Sequence, residues 1–121
     1  MRTILILDDD AAFQTTMKAS FDPAQYTVVA AQDGTEGLKK IEESRPDLIL
    51  LDIMMPKMNG LEFLRTVNEK YGEGKIPVLI TSNTSSMENI AEGVSLGIRG
   101  YIVKSNESLQ TIVDTVNKLF K

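Results

Sequence analysis

The sequence contains no cysteine and no histidine in 121 residues, and each absence removes a class of chemistry. Without cysteine the chain forms neither disulfide bonds nor thiolate metal sites, and it is compatible with a reducing cytosol. Without histidine it lacks the commonest metal ligand and the commonest proton shuttle of proteins. Any reaction that this chain supports therefore has to use carboxylates, hydroxyl groups and lysine.

Long hydrophobic runs and an excess of basic residues are absent as well. The N-terminal apolar run is too short for a signal peptide and no stretch is long enough to span a bilayer, so we expect a cytoplasmic protein. The chain carries 13 Lys and Arg against 17 Asp and Glu, a net charge of −4. This balance argues against binding to nucleic acid or to anionic membranes, because both need a basic face. The length and the 42% share of hydrophobic residues predict one compact domain.

Two apolar runs of this sequence end in aspartate. Residues 4–7 (ILIL) lead into the aspartates 8–10, and residues 48–51 (LILL) lead into Asp52. Such runs are typical of strands buried on both faces of a parallel sheet, and parallel sheets bind ligands at the carboxyl ends of their strands. If the two strands are neighbours, their carboxylates repel one another unless a cation binds or some of them stay protonated. The pattern therefore predicts a metal ion beside a reactive aspartate.

Apolar runs and helical patterns alternate along the whole chain. The predicted strands are residues 4–7, 26–31, 48–51, 77–80 and 101–103. A helical pattern follows each of them, and the clearest apolar stripe lies in the C-terminal segment. Five β-then-α units in succession imply a parallel sheet with helices on both faces, because each crossover is right-handed. The sequence predicts one doubly wound α/β domain over residues 1–121.

Hydroxyl and amino groups follow two further predicted strands. Thr81 and Ser82 end the fourth strand, where a hydroxyl can either cap the next helix or reach a phosphoryl oxygen, and the hydroxyl-rich run 81–86 offers several caps. Lys104 closes the fifth strand, and a lysine at this edge supplies the positive charge that phosphoryl transfer uses. Asp10 is interpreted differently from the two aspartates before it, because aspartate is a favoured N-cap and a helix follows.

Together these strand ends resemble the receiver domain of two-component response regulators. The segments that carry the resemblance are residues 4–9 (ILILDD), 50–56 with 58–60 (LLDIMMP and MNG), 79–82 (LITS) and 101–104 (YIVK). The resemblance covers essentially the whole chain, and we expect no output domain within it. It implies a flavodoxin-like sheet of five parallel strands in the order 2-1-3-4-5, in which the first and third strands are neighbours.

The resemblance also implies an acceptor and a metal site. Asp52 would accept a phosphoryl group, and an aspartate carboxylate is able to form an aspartyl phosphate. Asp8 and Asp9 would hold Mg²⁺ together with Asp52, with Asp9 favoured as the direct ligand of the pair. The backbone carbonyl of Met54 would complete the protein's share of ligands. The Mg²⁺ would neutralise charge on the phosphoryl group and on the attacking oxygen.

Three residues would respond to the phosphoryl group. Thr81 would donate a hydrogen bond to it, Lys104 would pair with it, and Tyr101 would turn inward when Thr81 moves toward the phosphate. Tyr101 is equally open to interpretation as an ordinary half-buried strand residue. The surface that changes would be the face of the fourth helix, fifth strand and fifth helix. Its charged residues are Glu88, Glu92, Arg99, Asp114 and Lys118.

One position departs from the family pattern. Members usually have proline after the lysine, joined by a cis peptide bond, whereas this chain has Ser105. A cis bond before a residue other than proline costs about 2.5–4 kcal/mol, so we expect a trans loop at this point. We also expect Ser105 or Asn106 to cap the last helix.

The resemblance implies a signalling domain and not an enzyme, limited to self-catalysed phosphotransfer and slow autodephosphorylation. The phosphoryl donor would be a sensor histidine kinase or a histidine phosphotransfer protein. The signal would pass to an output protein or to an effector domain lost from this chain. Direct contact with nucleic acid or with a membrane is not expected.

Two other functions fit parts of the same pattern. A phosphatase of the haloacid-dehalogenase type also uses an aspartate nucleophile and Mg²⁺, and Asp8 and Asp10 satisfy its aspartate-x-aspartate opening. However, Ala12 stands where that family has threonine or valine, and the chain is short for that fold. Phosphorylation of Asp8 instead of Asp52 would distinguish it. The second alternative is a pseudo-receiver that binds partners without phosphorylation, although such domains usually lose the acidic pair, the acceptor or the lysine.

Overall fold

The computed structural model describes residues 1–55, 58–83 and 86–120. In these residues five strands form one parallel sheet in the order β2-β1-β3-β4-β5. The strands are β1 (Arg2–Leu7), β2 (Tyr26–Ala31), β3 (Leu48–Leu51), β4 (Val78–Ser82) and β5 (Gly100–Val103). The helices are α1 (Ala11–Ser20), α2 (Gly34–Ser44), α3 (Gly60–Tyr71), α4 (Met87–Ser95) and α5 (Leu109–Leu119). The predicted doubly wound α/β fold and its strand order are confirmed.

The sheet separates two hydrophobic clusters, because successive side chains of a strand point to opposite faces. In β1, Leu5 and Leu7 pack into one cluster with residues of α2 and α3, and Ile4 and Ile6 pack into the other with residues of α1 and α5. All four side chains are fully buried. Burying an aliphatic side chain of this size contributes about 1.5–3 kcal/mol, so the apolar runs read from the sequence form the centre of the core.

Most of the helices begin at a residue whose polar side chain caps them. The carboxylate of Asp10 accepts hydrogen bonds from the backbone N–H groups of Ala12 and Phe13 at 3.0 and 3.2 Å, which confirms its interpretation as an N-cap. Asn59 caps α3 in the same way by accepting from the N–H of Leu61 at 2.7 Å. These caps satisfy N–H groups that have no partner inside the helix, which stabilises each helix start.

The loop after β5 differs in part from expectation. The described residues contain no cis peptide bond, so the predicted trans link between Lys104 and Ser105 is confirmed. The cap of α5 is Ser108, whose hydroxyl oxygen accepts from the N–H of Thr111 at 3.1 Å, and the prediction of Ser105 or Asn106 is wrong. The reason is that residues 104–106 form a turn of 3-10 helix, which delays the start of α5.

Glycine allows α3 to begin directly against the segment that leaves β3. A Cβ atom on Gly60 would lie 2.3 Å from the carbonyl oxygen of Asp52 and 2.7 Å from the Cα of Ile53. The N–H of Gly60 donates to the carbonyl of Ile53 at 2.9 Å. This close approach holds the main chain at residues 52 and 53 in place.

Some predictions fall on residues that the structure does not describe. These are Pro56, in the segment that resembles the phosphoacceptor region, and Thr84 and Ser85 of the hydroxyl-rich run; Lys57 and Lys121 also lie outside the described residues. Among the helices of the described residues, none is both long enough and apolar enough to cross a membrane.

Candidate functional site

The pairing of β1 with β3 brings the aspartates at their ends together. Leu7 pairs with Leu51 in the parallel register, and the N–H of Asp52 donates to the carbonyl of Leu7 at 2.9 Å. As a result, Asp8, Asp9 and Asp52 each offer a carboxylate oxygen, and these atoms lie within 4.8 Å of one another. The carboxylates converge at the sheet edge where the sequence places them.

Among the effects on the pKa of Asp52, burial is the largest. Asp8 is 1% exposed and Asp52 is 6% exposed, whereas Asp9 is open to solvent. Burial raises the pKa of the Asp52 carboxyl above its usual range, and the charge of Asp8 raises it further. Opposing these effects, the charge of Lys104 lowers the pKa, as do hydrogen bonds from the Met54 N–H and the Ser82 hydroxyl.

Lys104 lies between the two buried carboxylates. Its ammonium group forms an ion pair with Asp8 and lies 3.6 Å from Oδ2 of Asp52. The same nitrogen lies 4.1 Å from the centroid of the Phe13 ring, a cation–π contact that fixes the ammonium group from the helix side. The lysine side chain is 12% exposed, so its charge acts with little screening by water.

The donor set suits a hard divalent cation. The cluster offers only carboxylate oxygens, the ligands that Mg²⁺ prefers. Oxygens bound to one Mg²⁺ at about 2.1 Å lie at most about 4.2 Å apart, so a small contraction of this cluster would fit the ion. The Oδ1 atom of Asp8 already accepts from the N–H of Asp10 at 2.9 Å, and its Oδ2 faces Lys104. These contacts favour the exposed Asp9 over Asp8 as a direct ligand.

Backbone contacts hold the acidic residues in position. Met54 donates its N–H to Oδ1 of Asp52 at 3.1 Å, and the role of its carbonyl as a metal ligand stays a prediction. Gln14, which sequence reasoning missed, donates from Nε2 to the backbone carbonyls of Asp8 and Ala31, both at 2.6 Å. A polar residue on the buried face of the first helix was the available signal.

Of the two candidate hydroxyls, the structure brings Ser82 to the site. β4 ends with Thr81 and Ser82, which the sequence also places at the end of the fourth strand. Val78 and Ile80 face the cluster packed by α2 and α3, so alternation places Ser82 on that face and Thr81 on the other. The Ser82 side chain hydrogen-bonds to both Asp52 and Tyr101. Among the hydrogen bonds of the described residues, none joins the side chain of Thr81 to Asp52.

Tyr101 is directed inward. It is half-buried, packs against the cluster of α2 and α3, and shares a hydrogen bond with Ser82. Burial raises the pKa of its hydroxyl above the usual value of 10.0. Asp52, Ser82 and Tyr101 therefore form one chain of hydrogen-bonded side chains across β3, β4 and β5.

The predicted output face is partly engaged with α3. Glu92 of α4 forms an ion pair with Arg65, and the amide of Asn68 donates to the carbonyl of Leu96 at 2.9 Å. Two large apolar side chains of α4 stay in solvent, Met87 at 77% and Val94 at 63% exposure. The α4 surface thus combines apolar exposure with a direct link to α3.

The chain matches known proteins over nearly its whole length. Residues 4–117 match the family model of the response regulator receiver domain. The chemotaxis protein CheY4 of Vibrio cholerae has a similar structure, with a TM-score of 0.87 and 30% identity, covering 98% of this chain and 98% of that chain. The receiver domain of the Francisella response regulator 1452 gives a TM-score of 0.86 at 30% identity, with 99% and 97% coverage.

Two curated relatives are much longer than this chain. The regulator of RpoS from Escherichia coli is 32% identical over 115 residues, which is 95% of this chain and 34% of that protein. Protein-glutamate methylesterase/protein-glutamine glutaminase 2 of Koribacter versatilis is 34% identical over 117 residues, which is 93% of this chain and 31% of that protein. The chain therefore spans about a third of the length of these two relatives.

Proposed function

The chain belongs to the family of response regulator receiver domains, and from this membership we propose that Asp52 accepts a phosphoryl group from a phosphohistidine donor. The observation that carries the proposal is the arrangement around Asp52. A buried carboxylate lies within reach of two further aspartates and one lysine, at the carboxyl edge of a parallel sheet. Nothing else in the described residues combines a nucleophile, a metal-binding donor set and a fixed cation.

In the proposed step, a carboxylate oxygen of Asp52 attacks phosphorus while the bond from phosphorus to the donor's imidazole nitrogen breaks. A bound Mg²⁺ would supply neutralisation of charge on the phosphoryl oxygens. Asp8, Asp9, Asp52 and the carbonyl of Met54 would hold that ion. Asp8 keeps Lys104 at the site, and Lys104 turns its charge from Asp52 to a phosphoryl oxygen as that group arrives.

For the response to phosphorylation we propose Ser82, in place of Thr81, as the hydroxyl that contacts the phosphoryl group. Ser82 already donates to Asp52, so the same donor is in reach of an oxygen attached to that carboxyl. A shift of Ser82 alters its hydrogen bond with Tyr101, and Tyr101 lies in β5 beside α4. This connection would pass the change to the face of α4, β5 and α5.

The partners belong to the same proposal. The donor would be a sensor histidine kinase or a histidine phosphotransfer protein, acting in the cytoplasm. The changed face would act on an output protein or on an effector domain, in keeping with the greater length of the curated relatives. The exposed Met87 and Val94 are the apolar groups that such a partner would cover.

The test is phosphorylation by acetyl phosphate in the presence of Mg²⁺, followed by intact mass and peptide mapping. We expect a mass increase of one phosphoryl group in the wild type, and none after EDTA or in Asp52→Asn. An adduct that maps to Asp8 would instead indicate the phosphatase chemistry of the haloacid-dehalogenase type. The complete absence of an adduct in the wild type would favour a pseudo-receiver and contradict the proposal.

A further inference from the structure

A cavity of about 470 Å³ lies at the end of the sheet where the strands begin, opposite the end that carries Asp52. It lies beside the first residues of β1 and β3 and the connections that lead into β4 and β5. Its basic side chains are Arg2, Arg45, Lys75 and Arg99. One acid, Asp47, lies on its wall, and the Oδ2 atom of Asp47 accepts from the N–H of Thr3 at 2.7 Å. We call this site the basic cavity.

Among the described residues, the four cations of the basic cavity face one acid on its wall, Asp47. Within residues 1–55, 58–83 and 86–120, no ion pair involves any of the four, although the protein as a whole has a net charge of −4. They are four of only 13 basic residues in the sequence. Like charges that converge in excess of the nearby counter-charge raise the local potential and attract anions.

Two of the arginines are held by aromatic rings. The guanidinium carbon of Arg45 lies 4.5 Å from the ring centroid of Tyr71, and that of Arg2 lies 4.4 Å from the ring centroid of Phe120. Stacking of this kind fixes the plane of a guanidinium while leaving its N–H edges available. The arginines therefore present their hydrogen-bond donors in a restricted orientation.

The rest of the wall is apolar. It is formed by Pro46, Leu48, Ile76, Pro77, Leu119 and Phe120. The volume of the basic cavity falls within the range of about 300–1,000 Å³ that is usual for small-molecule sites, and its polar groups contribute more of the exposed lining than its apolar groups do. Arginine forks match the paired oxygens of a phosphate better than a single charge does.

We propose that the basic cavity binds a small phosphate-bearing molecule with a planar or apolar body, of the chemical class of a nucleoside diphosphate. The phosphates contact Arg45, Arg99 and Lys75, and the body of the ligand lies against the apolar wall. The site is formed by strand beginnings, at the opposite end of the strands from Asp52.

The test uses the whole chain in metal-free buffer, because EDTA removes any contribution of a metal at the acidic edge. ADP and inorganic pyrophosphate are titrated separately by calorimetry, and binding is mapped by amide NMR shifts. We expect saturable binding of ADP, at least about tenfold tighter than that of pyrophosphate, with shifts at residues 45–48, 75–77 and 99.

The variant is Arg45→Asn combined with Arg99→Gln. Arg45 has φ 40° at the end of α2, a left-handed conformation that asparagine tolerates, so the fold is preserved. We expect ADP affinity to fall about tenfold or more, because each lost arginine removes charge-assisted hydrogen bonds. The control is Lys18→Gln with Lys39→Gln, which removes the same charge from exposed sites elsewhere and leaves ADP affinity unchanged.

Three results would overturn the proposal. Non-saturable binding of ADP at millimolar concentration would show that the cavity is not a site. An equal loss of affinity in the control would show an effect of net charge alone. Equal affinities for ADP, pyrophosphate and a tetraglutamate peptide would show a general anion-binding surface without selection for the ligand body.

Discussion

The ammonium nitrogen of Lys104 lies 3.6 Å from Oδ2 of Asp52 while also forming an ion pair with Asp8. One cation from the end of β5 thus stabilises two buried carboxylates from the ends of β1 and β3. Removing one partner of a buried ion pair is far more costly than removing a surface charge, because the other partner stays buried.

We expect Lys104→Gln to lower the free energy of unfolding in metal-free buffer by about 3–5 kcal/mol. Urea denaturation in EDTA measures this loss, and added Mg²⁺ should recover part of it by replacing the missing cation. Lys39→Gln, at an exposed position of α2, should change stability by less than about 0.5 kcal/mol. If Lys104→Gln lowers the free energy of unfolding as little as Lys39→Gln does, Lys104 does not stabilise the carboxylates of Asp8 and Asp52 as we describe.

Ser82→Ala and Thr81→Val separate the two hydroxyls at the end of β4. We expect Ser82→Ala to slow phosphorylation by acetyl phosphate roughly ten- to hundredfold, the effect of losing one hydrogen bond to a charged group. Thr81→Val keeps the shape of a side chain that is 1% exposed, and its rate should stay near that of the wild type. If Thr81→Val slows phosphorylation and Ser82→Ala does not, Thr81 is the hydroxyl that contacts the phosphoryl group.

Mg²⁺ should stabilise the folded protein by mass action. At a concentration one hundred times the dissociation constant, the expected gain in the free energy of unfolding is about 2.7 kcal/mol. Asp9→Asn should remove most of this gain, since Asp9 is the exposed member of the cluster. Asp10→Asn is the matched control, because asparagine also caps helices, and it should keep the full Mg²⁺ effect. Thermal melts with and without Mg²⁺ measure both.

Tyr26 gives a prediction at alkaline pH. Burial raises the pKa of its hydroxyl, which donates to Oδ1 of Asn117 at 2.6 Å, and the charge of Arg2 opposes this only in part. In the unfolded chain Tyr26 has the ordinary tyrosine pKa of 10.0, whereas in the folded protein its pKa is higher. As pH rises past 10.0 the unfolded chain therefore loses this proton more readily than the folded protein, and the free energy of unfolding of the wild type falls.

Tyr26→Phe lacks that ionisation and also lacks the hydrogen bond. At neutral pH we expect it to be less stable than the wild type by about 1 kcal/mol. The difference should narrow as pH rises above 10.0, because only the wild type has the group that titrates. Urea denaturation at several pH values measures the gap, and a gap that stays constant would show that Tyr26 does not titrate as proposed.

The cap of α5 is tested by two serines three residues apart. Ser108→Ala should lower the free energy of unfolding by about 1 kcal/mol, the usual cost of losing an N-cap. Ser105→Ala should change it by less than about 0.5 kcal/mol, since Ser105 is exposed and lies outside the cap. A larger loss in Ser105→Ala would restore the original expectation for this loop.

The sequence was sufficient where structure depends on neighbouring residues. The strand of residues 4–7 and the cap at Asp10 follow from a local apolar run and a local polar side chain, and both are present. To predict that Asp8 lies close to Asp52, one further rule was needed, namely that the carboxyl ends of neighbouring parallel strands lie at the same end of the sheet. The strand order supplied by the family resemblance completed that argument.

It was insufficient where distant segments decide the outcome. Which hydroxyl at the end of β4 faces Asp52 depends on the pairing with β5, Thr81 with Ile102 and Ser82 with Val103, and on the helices that cover each face, and no local pattern reveals either. The basic cavity could not be predicted from the sequence for the same reason. Its four cations are more than twenty residues apart along the chain, and only the sheet topology brings them together where the strands begin.

The acidic cluster and the basic cavity occupy opposite ends of the same strands, which gives the molecule a dipole moment along the strand direction. The strands between them are 4–6 residues long, a span of about 13–20 Å. The Debye length at physiological salt is about 8 Å, so the two charged ends act on a distant partner through solvent mainly at low ionic strength. At low ionic strength the whole molecule would rotate in the field of a cationic partner and approach it with Asp52 leading.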